Sequence, residues 1–277
     1  MTDPVNPSGD DLADSLRTIA ESKPLVQSLT NTVTINDVAN LVLHWGALPV
    51  MADSPGDAGE MAQGASGLLI NIGQVPDGRV EAMHEAGRTA NEREIPVVLD
   101  PVGVGSTPTR ESVAETLLED LEFSIIKGNY GEISALAGVE AEVEGVESVG
   151  EYDEIEHTAT AVAESTDAVV VASGVEDIVA DADGSYRVSA GDEMLAAVVG
   201  TGCMLGASLA AFDAALSDDL TAALYGTLAF GIAGERAAEM AHDGPASYRR
   251  NFHDAVAGLA GEDADTFDLE DRIERIT

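Results

Sequence analysis

Short apolar runs alternate with helix-like stretches along most of the chain. The runs that are rich in β-branched or other apolar residues are 25–29, 48–51, 68–72, 97–99, 124–126 and 169–171. Strands that alternate with helices indicate a parallel sheet, because each return to the same edge needs a crossover connection. The runs are almost continuously apolar, which is typical of strands that helices cover on both faces. The pattern therefore predicts an α/β fold, a three-layer α/β/α sandwich with a mainly parallel central sheet.

The later part of the chain follows a different pattern. Residues 178–188 alternate around Asp183-Gly184, which predicts an antiparallel hairpin at the edge of the sheet. From Gly202 onward the sequence is alanine-rich, and we expect helices over 204–216, 220–240 and 247–259 and no further strand. The glutamate-rich stretch 138–150 is expected to be the most flexible connection. Because no interdomain linker occurs, residues 1–277 are expected to form a single domain.

The charge of the chain is extreme. Its 277 residues carry 13 basic and 51 acidic side chains, a formal net charge of -38, and the acids are spread along the whole sequence. This composition argues against nucleic-acid binding, which uses basic surfaces. Because salt screens the repulsion between acidic groups, the charge predicts a protein of a halophilic archaeon that works in concentrated salt. A calcium-binding acidic surface is the alternative, but no Asp-x-Asp-x-Asp-Gly loop occurs.

Cysteine and apolar content indicate the cellular setting. Cys203 is the only cysteine, so no internal disulfide can form and a reducing compartment is favoured. The first residues lack the basic and apolar regions of a secretory signal, and no apolar run approaches the ~20 residues that cross a bilayer. The histidines show no metal-ligand spacing. We expect a cytoplasmic protein with no membrane segment and no structural zinc site.

The junction Gly200-Thr201-Gly202-Cys203 is the most informative motif, because a β-branched run gives way there to a long apolar helix. Glycines let a ligand approach the backbone, and the unpaired amides of a helix N-terminus attract phosphate. A phosphate-handling enzyme is expected, and a tight strand-to-helix turn that binds nothing is the alternative. Neither lysine lies in a Gly-Lys-Ser/Thr sequence, which excludes a Walker A loop, and the glycine spacing excludes a dinucleotide fingerprint.

Polar residues follow two consecutive predicted strands, at the edge where open parallel sheets bind ligands. Asp100 ends one strand and is a candidate oxygen ligand for magnesium, with capping of the next segment as the alternative. Lys127 and Glu132 follow the next strand. Lys127 is a candidate phosphate contact and Glu132 a candidate magnesium ligand through water. A turn followed by a first-turn carboxylate, which the helix dipole favours, is the alternative for both.

Three further positions have a structural interpretation, and two of them, Met51 and Cys203, have a functional one as well. Thr34, in the amide- and hydroxyl-rich block 27–37, is a candidate helix N-cap. Met51 ends the second predicted strand, where a core position is favoured over the apolar wall of a small-molecule pocket. Cys203 begins a helix, which can lower a thiol pKa, but a catalytic thiolate usually needs a neighbouring histidine. A structural or substrate-wall cysteine is therefore favoured from the residues alone.

Six blocks of the sequence, in order and spacing, resemble the hydroxyethylthiazole kinases of the ribokinase-like superfamily. The blocks are 27–31, 51–53, 70–73, 99–105, 127–132 and 200–203, within a resemblance from about residue 24 to 248. The resemblance implies a ribokinase-like fold and a homotrimer with active sites between subunits. It also implies transfer of a phosphoryl group from ATP, with Mg²⁺, to the primary alcohol of 4-methyl-5-(2-hydroxyethyl)thiazole. That reaction salvages the thiazole half of thiamine.

The resemblance also implies a role for each matching residue. The catalytic group includes the backbone around the helix junction, which would receive the charge that develops on the γ-phosphoryl group, and a cysteine that acts as a weak base. These catalytic residues are Gly200, Thr201, Gly202 and Cys203. The implied binding residues are Asn31, Met51 and Gly200 for the thiazole, Lys127, Asn129 and Ser173 for ATP, and Asp100 and Glu132 for magnesium.

Two residues depart from the expected pattern. Lys127 stands where the family usually has arginine, so the charge is kept but the bidentate fork is lost. Cys203 stands where the wider superfamily typically has an aspartate that accepts the hydroxyl proton, and a thiol with a pKa of ~8.5 predicts modest turnover. The rival hypotheses are a hydroxymethylpyrimidine kinase of the same fold and a non-catalytic homologue that binds thiazole or nucleotide as a regulator.

Overall fold

The computed structural model describes residues 8–138, 143–144, 147–148, 154–262, 266–267, 269 and 271–277. Most of the connection 138–150, for which flexibility is predicted, lies outside these residues. Within the described parts of the chain, no helix is long and apolar enough to cross a membrane.

A large mixed sheet forms the centre of the molecule. The strands are β1 (Leu25–Leu29), β2 (Leu48–Val50), β3 (Gly67–Asn71), β4 (Val97–Asp100), β5 (Ile125–Asn129), β6 (Val143–Glu144), β7 (Glu147–Ser148), β8 (Val169–Ser173), β9 (Asp177–Asp181), β10 (Gly184–Val188) and β11 (Ile273–Arg275). Nine of them form one sheet in the order β11-β10-β9-β8-β5-β4-β3-β1-β2, and β6 pairs with β7 separately. The strands from β2 to β8 in this order are parallel, and β9, β10 and β11 are antiparallel to their neighbours.

Helices cover both faces of the large sheet. They are α1 (Gly9–Ser22), α2 (Ile35–His44), α3 (Asp57–Ala62), α4 (Asp77–Glu92), α5 (Pro108–Asp120), α6 (Tyr130–Leu136), α7 (Ile155–Thr166), α8 (Thr201–Asp213), α9 (Asp219–Glu239) and α10 (Pro245–Leu259). One apolar core joins α1, α2, α8, α9 and α10 to one face, where Leu69 and Val98 point. A second core joins α3 to α7 to the other face, where Leu68 and Leu99 point. The predicted three-layer sandwich is confirmed.

The antiparallel edge differs from the prediction in two respects. The hairpin of β9 and β10 is present, but its turn is Ala182-Asp183, because Gly184 already pairs with Asp181. The hairpin is also not the edge, since β11 pairs with β10. The expectation of no strand after Gly202 is therefore wrong. A strand of three residues that includes Glu274 and Arg275 is too short and too polar to leave a periodic signal.

Helix α8 is buried along almost its whole length, and this burial fixes the position of its N-terminus. It packs against α2 and α9 and lies over β3, β4 and β5. Gly206 permits the close approach, since a Cβ there would lie 3.4 Å from both Leu69 Cδ1 and Asp100 Oδ2. The first turns of α8 therefore meet the carboxyl ends of the central parallel strands, where the predicted site residues lie.

Candidate active site

Buried polar side chains from neighbouring strand ends form a continuous hydrogen-bonded chain. Asn31 follows β1, and its Nδ2 donates to Asn71 Oδ1 at 3.2 Å and to Cys203 Sγ at 3.3 Å. Asn71 Nδ2 in turn donates to Asp100 Oδ2 at 2.5 Å. Asp100 Oδ1 lies 3.5 Å from Lys127 Nζ. The predicted residues Asn31, Asp100, Lys127 and Cys203 are therefore brought together by contacts that run from β1 to β5 and back to α8.

The Asp100–Lys127 pair is an ion pair in the interior of the protein. Asp100 is fully buried and Lys127 is 3% exposed. Burial raises the pKa of Asp100 to about 6, the nearby Lys127 charge opposes this shift, and Glu132 adds to it. Burial alone would lower the pKa of Lys127, but the negative charges of Asp100 and Glu132 raise it above its ordinary value. Lys127 therefore stays protonated near neutral pH, as a phosphate contact requires.

Glu132 fulfils the structural interpretation that the sequence left open. Asn129 caps α6, with Oδ1 accepting from Glu132 N at 2.8 Å, while Glu132 Oε2 accepts from Asn129 N at 2.8 Å. Glu132 Oε1 also accepts from Gly103 N at 2.7 Å. Each carboxylate oxygen keeps further lone pairs, so the group remains able to receive hydrogen bonds from water on a metal ion. Glu132 thus fits an indirect role better than direct coordination.

The N-terminus of α8 is shaped by two close contacts. Gly200 has φ +94° and ψ 5°, a left-handed conformation that favours glycine. A Cβ on Gly200 would lie 2.3 Å from Thr34 Cγ2, and a Cβ on Gly202 would lie 3.0 Å from Lys127 Nζ. The first helical hydrogen bond runs from Met204 N to Gly200 O at 2.9 Å, so the amides before it have no acceptor within the helix. These amides lie beside the Lys127 ammonium, which is an arrangement suited to an anion.

The segment before this junction is not a strand, contrary to the strand-to-helix turn that the sequence suggested as an alternative. A 3-10 helix spans Glu193–Ala197, and Asp192 caps it by accepting a hydrogen bond from Met194 N. Thr201 Oγ1 donates to backbone carbonyls of this segment, at 3.1 Å and 3.3 Å. The Thr201 side chain therefore stabilises the junction, and its amide is the group that a ligand can use.

Cys203 is a buried thiol beside the buried hydroxyl of Thr34. Burial raises the pKa of Cys203, and the charge of Asp100 adds to the rise. The helix N-terminus therefore does not produce a thiolate here. Thr34 begins α2, but its side chain makes no capping bond, and its buried hydroxyl has no partner of ordinary hydrogen-bond geometry among the described residues. Thr34 forms the Gly200 contact, so its hydroxyl and the neighbouring thiol lie beside the α8 N-terminus, where a polar ligand would meet them.

Met51 lies on a loop that a buried amide fastens to the sheet. Gln27 on β1 is fully buried, and its Nε2 donates to the carbonyls of Ala52 and Ala58 at 3.0 Å each. Arg79 forms an ion pair of 2.7 Å with Asp53 in the same loop. Met51 is half-buried and packs against the core that joins α1, α2, α8, α9 and α10 to the sheet. It therefore has a core contact and a remaining exposed part, and the two interpretations of this methionine are compatible.

The remaining predicted residues lie on the other side of Lys127. Asn129 and Ser173 are paired neighbours at the ends of β5 and β8. Ser173 Oγ donates to Gly128 O at 3.3 Å and is only half-buried. Among the residues with described side chains, no three histidine, cysteine or carboxylate groups converge on one metal position. Two carboxylates without a closed cage are the pattern expected of magnesium that is held mainly by substrate phosphates and water.

Sequence reasoning gave no role to Asn71, although a signal for it exists. Asn71 interrupts the apolar run 68–72, and a polar residue at such a position must find a buried partner. The local pattern predicts only a capping role for Thr34, and nothing in it distinguishes a capping threonine from one whose hydroxyl lies beside the site. Both residues belong to the same cluster as the predicted ones.

The comparison with known proteins identifies the family of the chain. A model of the hydroxyethylthiazole kinase family matches residues 16–262. The chain belongs to the hydroxyethylthiazole kinase family. Within the family, the hydroxyethylthiazole kinase of Natronomonas pharaonis is 52% identical over 269 residues, 96% of each chain. That of Haloquadratum walsbyi is 50% identical over 95% of this chain and 92% of its own.

A solved family member supports the architecture as well. The structure of the hydroxyethylthiazole kinase from Pyrococcus horikoshii OT3 has a TM-score of 0.85 and 34% identity, covering 96% of this chain and 99% of its own. The ribokinase-like fold expected from the sequence is thereby confirmed. The family membership also confirms that the chain is a kinase.

Proposed function

We propose that this chain, acting as one kinase domain, transfers the γ-phosphoryl group of ATP to the primary alcohol of 4-methyl-5-(2-hydroxyethyl)thiazole. The observation that carries the proposal is the position of the α8 N-terminus against Lys127 and Asp100. Backbone amides and an ammonium group then surround the place where phosphoryl charge develops, beside a buried carboxylate. A loose phosphoryl-transfer transition state needs this kind of positioning and charge stabilisation more than covalent catalysis.

The chain's own groups divide the work between the two substrates. The amides of Thr201, Gly202 and Cys203 receive the transferring phosphoryl group, as they precede the first helical hydrogen bond. Lys127 contributes positive charge to the ATP phosphates, and Asn129 and Ser173 line the neighbouring strand ends. Asn31 and Met51 lie on the β1 and β2 side, where the thiazole alcohol would enter.

Asp100 and Glu132 are the residues that would hold magnesium, Asp100 through the oxygen that Asn71 leaves free and Glu132 through water. Bound magnesium would offset the charge of the phosphate groups. Asp100 is buried beside a cation, so its ionised form is compatible with the interior. Glu132 is held rigidly by backbone amides and needs no rearrangement to accept a hydrogen bond.

Cys203 is proposed as a weak base at most. Its pKa is raised by burial, so the thiol form predominates near neutral pH. Proton acceptance from the alcohol is therefore inefficient, and the amides and charges around the γ-phosphoryl group supply most of the rate. The thiol also contributes a soft apolar wall beside Thr34.

We further propose a homotrimer with active sites between subunits. Val33 and Val199 are 67% and 76% exposed, and each directly precedes one residue of the Thr34–Gly200 contact. Exposed apolar side chains at the rim of a site favour coverage by another surface. Sedimentation equilibrium in molar potassium chloride tests the proposal, with a single trimer expected and an active monomer contradicting it.

The net charge supports a cytoplasmic protein adapted to concentrated salt. Two of the relatives described above come from halophilic archaea. Because salt screens the repulsion among acidic groups, the melting temperature should rise between low and molar potassium chloride. A melting temperature that is independent of salt would contradict the adaptation.

The deciding experiment measures ADP release in molar potassium chloride with ATP and magnesium. Hydroxyethylthiazole, hydroxymethylpyrimidine and no acceptor are compared, and product mass is determined in parallel. ADP release that depends on the thiazole, with the matching phosphate ester, is expected. ADP release with hydroxymethylpyrimidine alone would overturn the proposed thiazole specificity. Binding of thiazole or nucleotide by folded protein, without ADP release, would favour a regulator.

A further inference from the structure

Asn71 is a fully buried amide at the end of β3 that bonds to two other chain segments and to the loop that follows its own strand. Its Nδ2 donates to Asp100 Oδ2 at 2.5 Å. Its Oδ1 accepts from Asn31 Nδ2 at 3.2 Å and from Gly73 N at 3.0 Å. In the sheet register, Asn71 and Asp100 are direct partners across β3 and β4. One side chain therefore joins the ends of β1, β3 and β4 beneath the candidate site.

The neighbours of Asn71 leave its amide only one orientation. Gly73 N–H is a donor only, so the atom of Asn71 that faces it must be Oδ1. The NH₂ group must then face Asp100. A flipped amide would place two donors against each other at Gly73 and two acceptors against each other at Asp100. The polarity of this contact is thus set by a backbone group.

The orientation of Asn31 is fixed in the same way. Its Oδ1 accepts from the backbone N–H groups of Val33 and Thr34, at 3.1 Å each. Its Nδ2 is therefore the atom directed at Asn71 Oδ1 and Cys203 Sγ. The polarity of both amides is therefore fixed. At one end of this row of hydrogen bonds Asn31 donates to the Cys203 thiol, and at the other end Asn71 donates to the Asp100 carboxylate.

The contact determines which oxygen of Asp100 remains available. Oδ2 is engaged by Asn71, whereas Oδ1 lies on the Lys127 side, 3.5 Å from Nζ. We propose that Asn71 is a positioning residue for phosphoryl transfer, holding Asp100 so that Oδ1 faces the magnesium and phosphate region. The inference rests on the magnesium role proposed above for Asp100. Partners of this kind orient a ligating carboxylate without touching substrate.

A purely structural role for Asn71 makes a different prediction. Its acceptor oxygen also holds Gly73 and Asn31, so it could serve only to shape the loops after β1 and β3. That role depends on Oδ1, whereas the positioning of Asp100 depends on Nδ2. Asn71→Asp keeps an acceptor and removes the donor once the new carboxyl is ionised, since a protonated carboxyl can still donate; this variant is therefore measured at alkaline pH. Asn71→Leu removes both at similar size, and the pair of variants separates the two functions.

The test measures ADP affinity by calorimetry, with and without magnesium, in these two variants. Asn91→Asp is the control, since Asn91 likewise uses both ends of its amide, donating to Glu122 O at 2.8 Å and accepting from Glu122 N at 2.9 Å, away from the site. Asp100→Asn tests the underlying magnesium role. Thermal melting establishes that each variant is folded, and kcat and the KM for thiazole are measured alongside.

We expect magnesium to tighten ADP binding in the wild type and the control, and the effect to fall by about tenfold or more in Asn71→Asp, Asn71→Leu and Asp100→Asn. A folded Asn71→Asp protein with the wild-type magnesium effect overturns the proposal, whatever Asn71→Leu does. A raised KM for thiazole with the magnesium effect intact assigns Asn71 to loop structure and overturns it as well. If Asp100→Asn keeps the magnesium effect while the Asn71 variants lose it, Asn71 does not act through Asp100. If all variants keep it, the magnesium assignment fails too, although thiazole-dependent ADP release would still support the kinase.

Discussion

Substitution of Gly200 by alanine should damage both the stability and the activity of the protein. Gly200 has φ +94°, and a Cβ there would lie 2.3 Å from Thr34 Cγ2. A left-handed conformation costs a residue with a Cβ about 1–2 kcal/mol. Forcing a methyl group into a packed site costs about 1–3 kcal/mol more. The backbone cost and the packing cost have different origins and add together, so the free energy of unfolding should fall by about 2–5 kcal/mol.

The two costs can be separated by a second substitution. Thr34→Ser removes Cγ2, the atom that the new methyl group would strike. The double variant Thr34→Ser/Gly200→Ala should therefore recover the packing part of the loss, about 1–3 kcal/mol relative to the Thr34→Ser background, and keep the backbone part. Gly258→Ala is the control, since a Cβ there has open space and alanine favours a helix by up to about 1 kcal/mol.

Urea unfolding in molar potassium chloride measures these free energies, and ADP release measures the effect on turnover. Turnover of Gly200→Ala should fall because the α8 N-terminus must shift to relieve the contact. Refutation would come from a Gly200→Ala protein as stable as the wild type. If Gly200→Ala lowers the free energy of unfolding equally in the wild type and in the Thr34→Ser background, the proposed clash with Thr34 Cγ2 is refuted, but the backbone cost is not.

Three further predictions concern the buried titratable groups. Cys203→Asp should raise kcat if proton acceptance limits turnover, and an unchanged or lower rate of ADP release would contradict a base role. Lys127→Ala leaves Asp100 buried without its cation, so unfolding should become easier by about 3–5 kcal/mol and the KM for ATP should rise; wild-type values in urea unfolding and kinetics would count against the ion pair. Burial raises the pKa of Asp213 to about 7, against the opposing hydrogen bond that Ser124 donates. Its stabilising contribution is therefore present below the unfolded-state pKa of 3.8 and is lost as pH rises toward 7. Asp213→Asn should remove that dependence in unfolding measurements between pH 3.8 and about 7, and an unaltered pH profile would contradict the shift.

The regular part of the fold was predictable because long elements leave long patterns. The run 25–29 coincides with β1, and the predicted helix 247–259 lies within α10, Pro245–Leu259. The strand β11 was not predictable, since Ile273–Arg275 has one apolar residue and owes its conformation to the neighbouring β10. Tertiary pairing, rather than local preference, forms such a strand.

The members of the candidate site were more predictable than the contacts between them. Polar residues after apolar runs identify strand ends, and parallel strands bring those ends to one edge. This reasoning found Asp100 and Lys127, which lie 3.5 Å apart. It gave no role to Asn71, because the need for that amide arises only when Asp100 and Asn31 lie on either side of it. Which strands are neighbours is a property of the whole sheet.

The strand order explains why the site behaves as one unit. Along the order β5-β4-β3-β1, Lys127, Asp100 and Asn71 lie on the first three strands, Asn31 follows the fourth, and each contacts the next. Helix α8 crosses above them, and Cys203 meets the far end of the row through Asn31. Substitution of one amide changes the hydrogen bond that its neighbour accepts or donates, and so changes the hydrogen bonding of the Asp100 carboxylate or the Cys203 thiol. Substitutions within this row should therefore be coupled rather than additive, so an effect measured at one position belongs to the network and not to a single side chain.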